Sequence, residues 1–363
     1  MTPLNSILLH CDRRWEVSFL ITSLGIITGI ITGAIAPIHC ANASTVNGSW
    51  PSPTIDRWMY PFNSTPGTRP VISTFGSMPG APEFDSRDGQ YIVAYDTTSQ
   101  VTAGLGASNY TITSARLTIE FANDLVIAYD PTPDGWKTFL AASDPEYQAD
   151  PDAGQSIDLF GCGFRNGFTS ATFLENSPYA TPNNPMASGV RNAYAMSFNS
   201  TGTSIDVSNN PRERFEPRRF ATGQIAGLPA GSLIALHTPM YFDLDLADST
   251  VQGYLRSALN EGKLFLVVSS LTFVEQQGGN FPAFYAKENA LVQFMLAKAA
   301  ALQMTVSIGP SCAPADINCD NLVNGLDLAY VLSGWGSPGL GDINLDGITD
   351  GVDLTTLLSG WLQ

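Results

Sequence analysis

Basic side chains are scarce in this sequence. The 363 residues include 17 Lys and Arg against 33 Asp and Glu, which gives a formal net charge of −16. Binding to nucleic acid needs clustered Lys and Arg to neutralise phosphates, so this composition excludes nucleic acid as a partner. Charged residues make up only 14% of the chain, whereas roughly a quarter is usual. With 33 Gly and 24 Pro, this composition favours a turn-rich β-protein over a helical bundle.

The N-terminal segment has the order of a secretory leader. Arg13 and Arg14 precede an apolar run over residues 19–38, and the small-x-small sequence Ala41-Asn42-Ala43 follows. This pattern predicts a signal peptide over residues 1–43 and a secreted or cell-surface protein. The alternative is a retained membrane anchor, because the run is long enough to span a bilayer and carries glycines at four-residue spacing. A membrane is a partner only in that second case.

Export predicts an oxidising compartment, which bears on the three cysteines that follow the leader. Cys312 and Cys319 are seven positions apart and are candidates for a disulfide that closes a small loop, with two free thiols as the alternative. Cys162 lies in the run Phe-Gly-Cys-Gly-Phe. Its apolar surroundings predict a buried thiol rather than a reactive one.

Residues 44–309 are predicted to form a β-domain. Short runs of β-branched and aromatic residues, separated by Pro, Gly and Asn, predict strands that include 91–95, 110–121, 125–129, 264–273 and 304–308. Two helices are expected to interrupt them. The first begins at Ser249 as its cap and ends at Gly262, and the second covers the Ala-rich residues 287–302. Many strands with long connections predict a mainly β fold, either a β-sandwich or a jelly roll.

A second pattern in this region resembles a known family. Residues 248–259, 262–270, 284–288 and 302–308 follow one another as in the closing half of the DNRLRE-type jelly-roll domains, and residues 114–119 are similar to an early strand of that family. Such domains occur on secreted bacterial proteins, and some bind polysaccharide. The resemblance therefore implies a jelly roll with polysaccharide as one candidate ligand.

Binding of polysaccharide would require exposed aromatic faces that stack on sugar rings. Trp58, Tyr60 and Phe62 alternate, so on a strand they share one face. That face is a sugar platform if it is exposed and part of the core if it points inward. Trp136, in a loop rich in Pro and Gly, is an independent candidate. A nearby acidic loop is read either as a solvated loop or as a structural calcium site, and its acidic residues are Asp144, Glu146, Asp150 and Asp152.

Catalytic signatures are missing from the sequence. It contains no G-x-S-x-G, no H-E-x-x-H, no P-loop, and no G-x-G-x-x-G that leads into a helix. His237 is the one histidine beyond the leader, and its apolar and β-branched neighbours favour a structural position on a strand. A carboxylate pair for glycoside hydrolysis, drawn from candidates such as Glu120, Glu146 and Asp243, stays open because the separation of two carboxylates is a property of the fold.

The last fifty or so residues contain a repeat of 26 residues. Residues 316–327 and 342–353 each place side-chain oxygens at loop positions 1, 3, 5, 9 and 12, with a backbone carbonyl at position 7. Ca²⁺ takes six to eight oxygen ligands, so these loops predict two bound Ca²⁺ ions. The predicted ligands are Asp316, Asn318, Asp320, Leu322, Asn324 and Asp327 in the first loop, and Asp342, Asn344, Asp346, Ile348, Asp350 and Asp353 in the second.

This loop-then-helix repeat resembles the type I dockerin family over residues 312–363. Position 12 is expected to begin a short helix in each copy, and Pro and Gly before position 1 argue against an entering helix. The resemblance implies a calcium-dependent module, here residues 310–363, that docks onto a cohesin-like protein through its helices. Just before position 12, however, the chain has Gly325-Leu326 and Gly351-Val352 where the family commonly has polar residues. The partner surface is therefore expected to be apolar, or the module packs on its own chain.

Together these features predict a small α-helical calcium module that follows a mainly β domain in a secreted or surface-associated binding protein. The absence of catalytic motifs favours a binding role. One alternative is a secreted polysaccharide-degrading enzyme, either a glycoside hydrolase or a lyase, because dockerin-like modules often accompany such enzymes. Another is a purely structural envelope protein, which would bind no glycan and turn over no substrate.

Overall fold

The chain is mainly β, with several antiparallel sheets and few helices. The structure, a computed structural model, describes residues 44–180, 184–274, 280–309, 313–318, 322–337, 341–344 and 346–361. The predicted leader and the cysteines Cys312 and Cys319 lie outside these residues, so the leader and the disulfide remain predictions. Among the described residues, no helix combines the length and the apolar character that crossing a bilayer requires.

The strands are numbered in chain order, as are the α-helices. The strands are β1 Ser44–Trp50, β2 Ile55–Met59, β3 Val71–Ser73, β4 Gln90–Asp96, β5 Tyr110–Glu120, β6 Ile157–Phe164, β7 Ala193–Phe198, β8 Ser204–Asp206, β9 Ala221–Thr222, β10 Pro239–Asp243, β11 Lys263–Ser270, β12 Ala283–Tyr285 and β13 Ala301–Ile308. The helices are α1 Asn210–Glu213, α2 Ser249–Glu261, α3 Ala290–Gln293, α4 Gly325–Ser333 and α5 Gly351–Ser359, and short 3₁₀ turns cover Pro66–Thr68, Ala107–Asn109 and Trp136–Phe139.

Two sheets supply the main hydrophobic core. The smaller sheet has the strand order β1-β13-β5-β10, and the larger has the order β2-β4-β11-β6-β7-β8, with β9 paired to β6. Alternate residues of β5, such as Leu117 and Ile119, share one cluster with Leu264, Leu266 and Val268 of β11. This period of two follows from the pleat, which points successive side chains to opposite faces of a strand. One face of each sheet therefore contributes to the same core.

The larger sheet is buried on its other face as well. Ile92 and Ala94 of β4 and Phe265 and Val267 of β11 belong to a second cluster, which loop residues such as Phe173 complete. Burial on both faces explains why β4 and β11 are apolar along almost their whole length instead of alternating with polar residues.

Buried arginines hold the loops of this second face. Arg57 on β2 donates from Nη1 to the carbonyl of Ser177 at 2.7 Å. Arg191 is fully buried and forms an ion pair with Asp85 at 2.5 Å, and it also donates to the carbonyl of Asp88 at 2.8 Å. A guanidinium carries five N–H donors in a rigid plane, so one side chain can satisfy several buried carbonyls at once. These polar contacts were not predicted from the sequence.

The predictions for helices in the β-domain had different outcomes. Helix α2 ends at Gly262 in the left-handed conformation as predicted, although its N-cap is Asp248 rather than Ser249. The predicted helix over 287–302 is wrong, because only Ala290–Gln293 is helical. The residues after Ala300 instead form β13, which pairs with β1 and β5 in the middle of the smaller sheet. Tertiary pairing thus overrides the helical propensity of an Ala-rich segment.

The predicted strand over 125–129 is also wrong in detail. Leu125 has φ of 54°, and the segment forms a single isolated bridge, between Ala128 and Leu233. Its backbone still pairs irregularly with the residues near Ile234, since Leu125 and Ile127 both hydrogen-bond to that residue. The β-pattern of the sequence therefore found a paired segment that is too distorted to be a regular strand.

Candidate functional site

The second C-terminal loop, residues 342–353, brings the side chains of positions 1, 3 and 5 together. Oδ1 of Asp342 and Oδ1 of Asn344 both accept hydrogen bonds from the amide of Asp346, at 3.1 and 3.0 Å. The side-chain amide of Asn344 donates to Asp346 Oδ2 at 2.9 Å. Gly347 at position 6 has φ of 97°, a left-handed conformation that glycine adopts without strain. Positions 1 and 3 of the loop thus both lie within hydrogen-bonding distance of position 5.

Position 12 closes both loops in the same way. Asp353 Oδ1 accepts from the amides of Ile343 and Asn344 at 2.8 and 3.0 Å, and its Oδ2 accepts from the amide of Asp350 at 2.8 Å. In the first loop Asp327 accepts three equivalent bonds from the amides at positions 2, 3 and 9. The amide of Asp350, together with those of Asn344 and Ile343, lowers the pKa of the Asp353 carboxyl below its ordinary value. That carboxylate is therefore ionised at neutral pH.

The side chains at positions 9 and 12 also cap the two helices that follow the loops. Asn324 and Asp350, at position 9, are the N-caps of α4 and α5, and each forms a capping box with the Asp three residues later. The helices therefore begin at Gly325 and Gly351, two residues earlier than predicted. Val331 and Leu357 occupy equivalent places in the two helices and are fully buried. Among residues 313–318 and 341–344, which precede or open the loops, no helix is present.

The residue types in these loops fit a hard cation. The side chains that were predicted to bind Ca²⁺ all offer carboxylate or amide oxygens, which are the ligands that this ion prefers. In the described part of the second loop, no three carboxylates come within 4.8 Å of one another. A carboxylate can accept about four hydrogen bonds or metal contacts. Asp353 accepts three hydrogen bonds, so it can still bind a cation. Asp320 lies outside the described residues.

Of the three alternating aromatic residues, Trp58 lies on β2, whereas Tyr60 and Phe62 follow the end of that strand. Trp58 stacks on Tyr60 with a centroid distance of 4.7 Å, and the Arg69 guanidinium lies 4.9 Å from the Trp58 ring. Trp58 and Tyr60 are half-buried and also contact Phe75, whereas Phe62 is exposed. These aromatic residues were predicted to form either a sugar platform or part of the core, and the second alternative describes Trp58 and Tyr60 better.

Trp136 lies in a different environment. Its half-buried ring lies in the wall of a cleft of about 680 Å³, within the range of small-molecule sites, roughly 300–1,000 Å³. Its backbone amide donates to Glu216 at 3.0 Å, and Lys137 Nζ is 5.6 Å from the ring. The polar side chains that line the same cleft are Thr132, Asp134, Lys137, Thr138, Gln148, Asp152 and Glu216.

The acidic loop beside this cleft divides into two parts. Asp144 and Glu146 both form ion pairs with Arg214. Asp150 and Asp152 instead join two buried residues that precede them, Asp130 and Asp134, and one carboxylate oxygen of each of these four lies within 4.8 Å of the others. Burial, with the neighbouring carboxylates, raises the pKa of Asp134 to about 7 and also raises that of Asp150.

The sequence pattern did not single out Asp130 and Asp134, which lie in the Pro- and Gly-rich loop before Trp136. A signal was nevertheless present. Asp-Pro occurs at the start of both segments, as Asp130-Pro131 and Asp150-Pro151, and no Lys or Arg lies within 130–135 or 149–155.

The carboxylates considered for glycoside hydrolysis each contact a basic group. Glu120 Oε1 is 2.8 Å from Nδ1 of His237, and Asp243 forms an ion pair with Arg116 at 2.6 Å. His237 lies just before β10 with φ of 63° and stacks on Tyr285, so it does not take the regular strand position expected for it.

Burial raises the pKa of the Cys162 thiol well above its ordinary value, which agrees with the prediction of an unreactive cysteine.

Comparisons with protein-family models, with curated proteins and with solved structures find no match to this chain.

Proposed function

We propose that this protein is a secreted, modular binding protein. Its C-terminal repeat is a dockerin-like module that two Ca²⁺ ions stabilise and that docks onto a cohesin-like protein. The sheets of residues 44–309 form a β-sandwich of the jelly-roll type that presents a ligand-binding cleft. The proposal rests on the two loops and on one observation about the helices that follow them.

That observation is a set of exposed apolar side chains at equivalent places in the two repeats. Leu326 and Val352 are 60% and 55% exposed, and Leu332 and Leu358 are 56% and 54% exposed. Val331 and Leu357, one position before the second pair, are fully buried. Contiguous exposed apolar patches mark protein interaction sites, and the repetition of these exposed side chains in both helices favours such a patch. The pattern favours a partner with an apolar surface and offers that partner two similar faces.

Calcium would be held by the side-chain oxygens of both loops and would replace some of the amide hydrogen bonds that now close them. Metal binding to a preformed loop stabilises the folded state by mass action. The exposed residues Leu326 and Val352 lie between the position-9 cap and position 12. Calcium removal is therefore expected to loosen the docking faces themselves.

A decisive experiment measures binding of the full chain to a panel of purified cohesin domains by calorimetry, in Ca²⁺ and in chelator. The wild type should bind only in Ca²⁺, and the double variant Leu326→Lys, Val352→Lys should not bind. Leu236→Lys, which changes an exposed leucine of the β-domain, is the matched control and should bind as the wild type does. Absence of both cohesin binding and any calcium-dependent gain of helix would refute the docking function.

A second candidate function, polysaccharide binding, is favoured by the Trp136 cleft. An aromatic ring in the wall of a polar cleft is the arrangement that stacks on a sugar ring while side chains bond its hydroxyls. A glycan array should show binding that Trp136→Ala abolishes and that Phe62→Ala leaves unchanged. Release of reducing ends that a single carboxylate substitution abolishes would instead support the polysaccharide-degrading enzyme. Neither glycan binding nor turnover would support the structural envelope protein.

A further inference from the structure

Four aspartates outside the C-terminal loops converge in the β-domain. Asp130 and Asp134 come from the segment after the irregular 125–129 pairing, and Asp150 and Asp152 come from the loop before β6. One carboxylate oxygen from each lies within 4.8 Å of the other three. Asp130 and Asp134 are buried, Asp150 is half-buried and Asp152 is exposed. Four ionised carboxylates at this separation repel one another strongly. Either protonation of some of them or a cation among them relieves that repulsion.

One buried carboxylate oxygen in this cluster accepts no hydrogen bond. Asp130 is only 3% exposed; its Oδ1 accepts from Thr132, but its Oδ2 is buried and has no hydrogen-bond partner. Oγ1 of Thr132 is within 2.8 Å of Asp130 Oδ1 and 2.9 Å of Asp152 Oδ2, although a hydroxyl has a single hydrogen to donate. An unpartnered buried carboxylate oxygen is costly and is rare in native proteins.

No basic side chain compensates these charges. Within the described residues, no Lys, Arg or His forms an ion pair with any of the four aspartates, and Arg219 contacts the segment only at the carbonyl of Asp134 while its ion pairs are with Asp158 and Glu216. The other acidic group of the β-domain differs in this respect. There Lys287 Nζ contacts Asp56, Glu175 and Glu288, so the chain supplies its own cation.

We propose that Asp130, Asp134, Asp150 and Asp152 form a Ca²⁺ site that fastens the 150–152 loop to the 130–134 segment in the wall of the Trp136 cleft. Hard cations take oxygen ligands, and Ca²⁺ tolerates an irregular shell of six to eight oxygens. Mg²⁺ demands a near-octahedral shell and gives up its water reluctantly, so it suits dedicated protein carboxylates less well. Asp134 and Asp152 also line the cleft, so the ion fixes the position of part of its wall. This site shares no residue with the C-terminal loops.

The test counts bound Ca²⁺ in the full chain by calorimetry and native mass spectrometry after removal of metal with a chelator. The variant Asp130→Asn, Asp150→Asn should bind one ion fewer than the wild type, whatever number the C-terminal loops hold. The matched control Asp144→Asn, Glu146→Gln changes the acidic residues that pair with Arg214 and should leave the count unchanged. If the C-terminal loops bind nothing, the wild type keeps one ion and the double variant none, so the two proposals fail separately.

Folding is monitored by thermal unfolding in chelator. The double variant should be at least as stable as the wild type there, because the amides remove the repulsion, and it should lose the gain in Tm that this site gives in Ca²⁺. If that variant does not fold, Asp152→Asn changes the exposed member alone and should weaken the same ion. An unchanged ion count or affinity in the folded variant would overturn the proposal, as would equally tight binding of Mg²⁺.

Discussion

Asp353 accepts a hydrogen bond from the backbone amide of Ile343, ten residues earlier, at 2.8 Å. Asp327 makes the same contact with Ile317 at 2.7 Å in the first repeat. The position-12 carboxylate therefore joins the start of each loop to the start of the helix that follows. A side chain that closes the loop and carries a charge should matter more for the ion than a neutral ligand within the loop.

We expect Asp353→Ala to weaken Ca²⁺ binding at the second loop more than Asn344→Ala does. The first change removes a carboxylate, the strongest type of calcium ligand, together with three hydrogen bonds to backbone amides. The second removes a neutral amide oxygen and two hydrogen bonds to Asp346. Calorimetric titration of the full chain measures both affinities. Equal losses in the two variants would contradict this ranking of the ligands.

Replacement of the buried Arg191 should destabilise the β-domain strongly. Arg191→Met leaves Asp85 buried without its ion-pair partner, and removal of one member of such a pair costs about 3–5 kcal/mol. Arg116→Met breaks the exposed pair with Asp243 and should cost only about 0–1 kcal/mol. Chemical denaturation of both variants gives the comparison. A small loss for Arg191→Met would show that the buried network is not needed for the fold.

Stability should fall as the pH rises through neutrality in metal-free buffer. Burial, with Asp85 nearby, raises the pKa of Asp88 from its ordinary 3.8 to about 7, although Arg191 opposes this shift. The protonated form is thus favoured in the folded state. Its contribution to stability is complete below the unfolded pKa and is lost as the pH rises through the folded pKa.

Asp88→Asn should therefore make the dependence shallower between about pH 4 and 7, by at most about 1.4 kcal/mol per pH unit. The pKa values of Asp56 and Asp134 are also raised to about 7. These two residues should therefore preserve part of the pH dependence of the unfolding free energy in this variant. The unfolding free energy measured at several pH values tests this expectation. The exposed control Glu83→Gln should follow the wild type, and a variant slope as steep as the wild-type slope would argue against Asp88.

The shared core of the two sheets gives a further test. Leu266→Ala removes a fully buried side chain of β11 and should lower the free energy of unfolding by about 2–5 kcal/mol. Leu236→Ala, at an exposed position, should change it by less than about 0.5 kcal/mol. Denaturant titration of both variants measures these values. Similar effects would show that β11 contributes little to the core.

Features that depend on residues close together in the chain could be predicted from the sequence. The period of two in β4, β5 and β11 and the left-handed Gly262 after α2 could be predicted because pleat, helix and cap are local geometries. The helices after each C-terminal loop could be predicted for the same reason, since one spacing gives both the cap and the loop. The mainly β class follows from these strands together with the scarcity of charge.

Contacts between residues that are distant in the sequence follow only from the fold. The local pattern predicts 304–308 as a strand, but only the fold shows that β13 lies between β1 and β5, which are distant in the sequence. Arg191 meets Asp85 from 106 positions away, and Asp130 meets Asp150 across a loop. A contact of this kind depends on how the whole chain packs, so the sequence shows the charges while the fold decides which of them an arginine neutralises and which face one another.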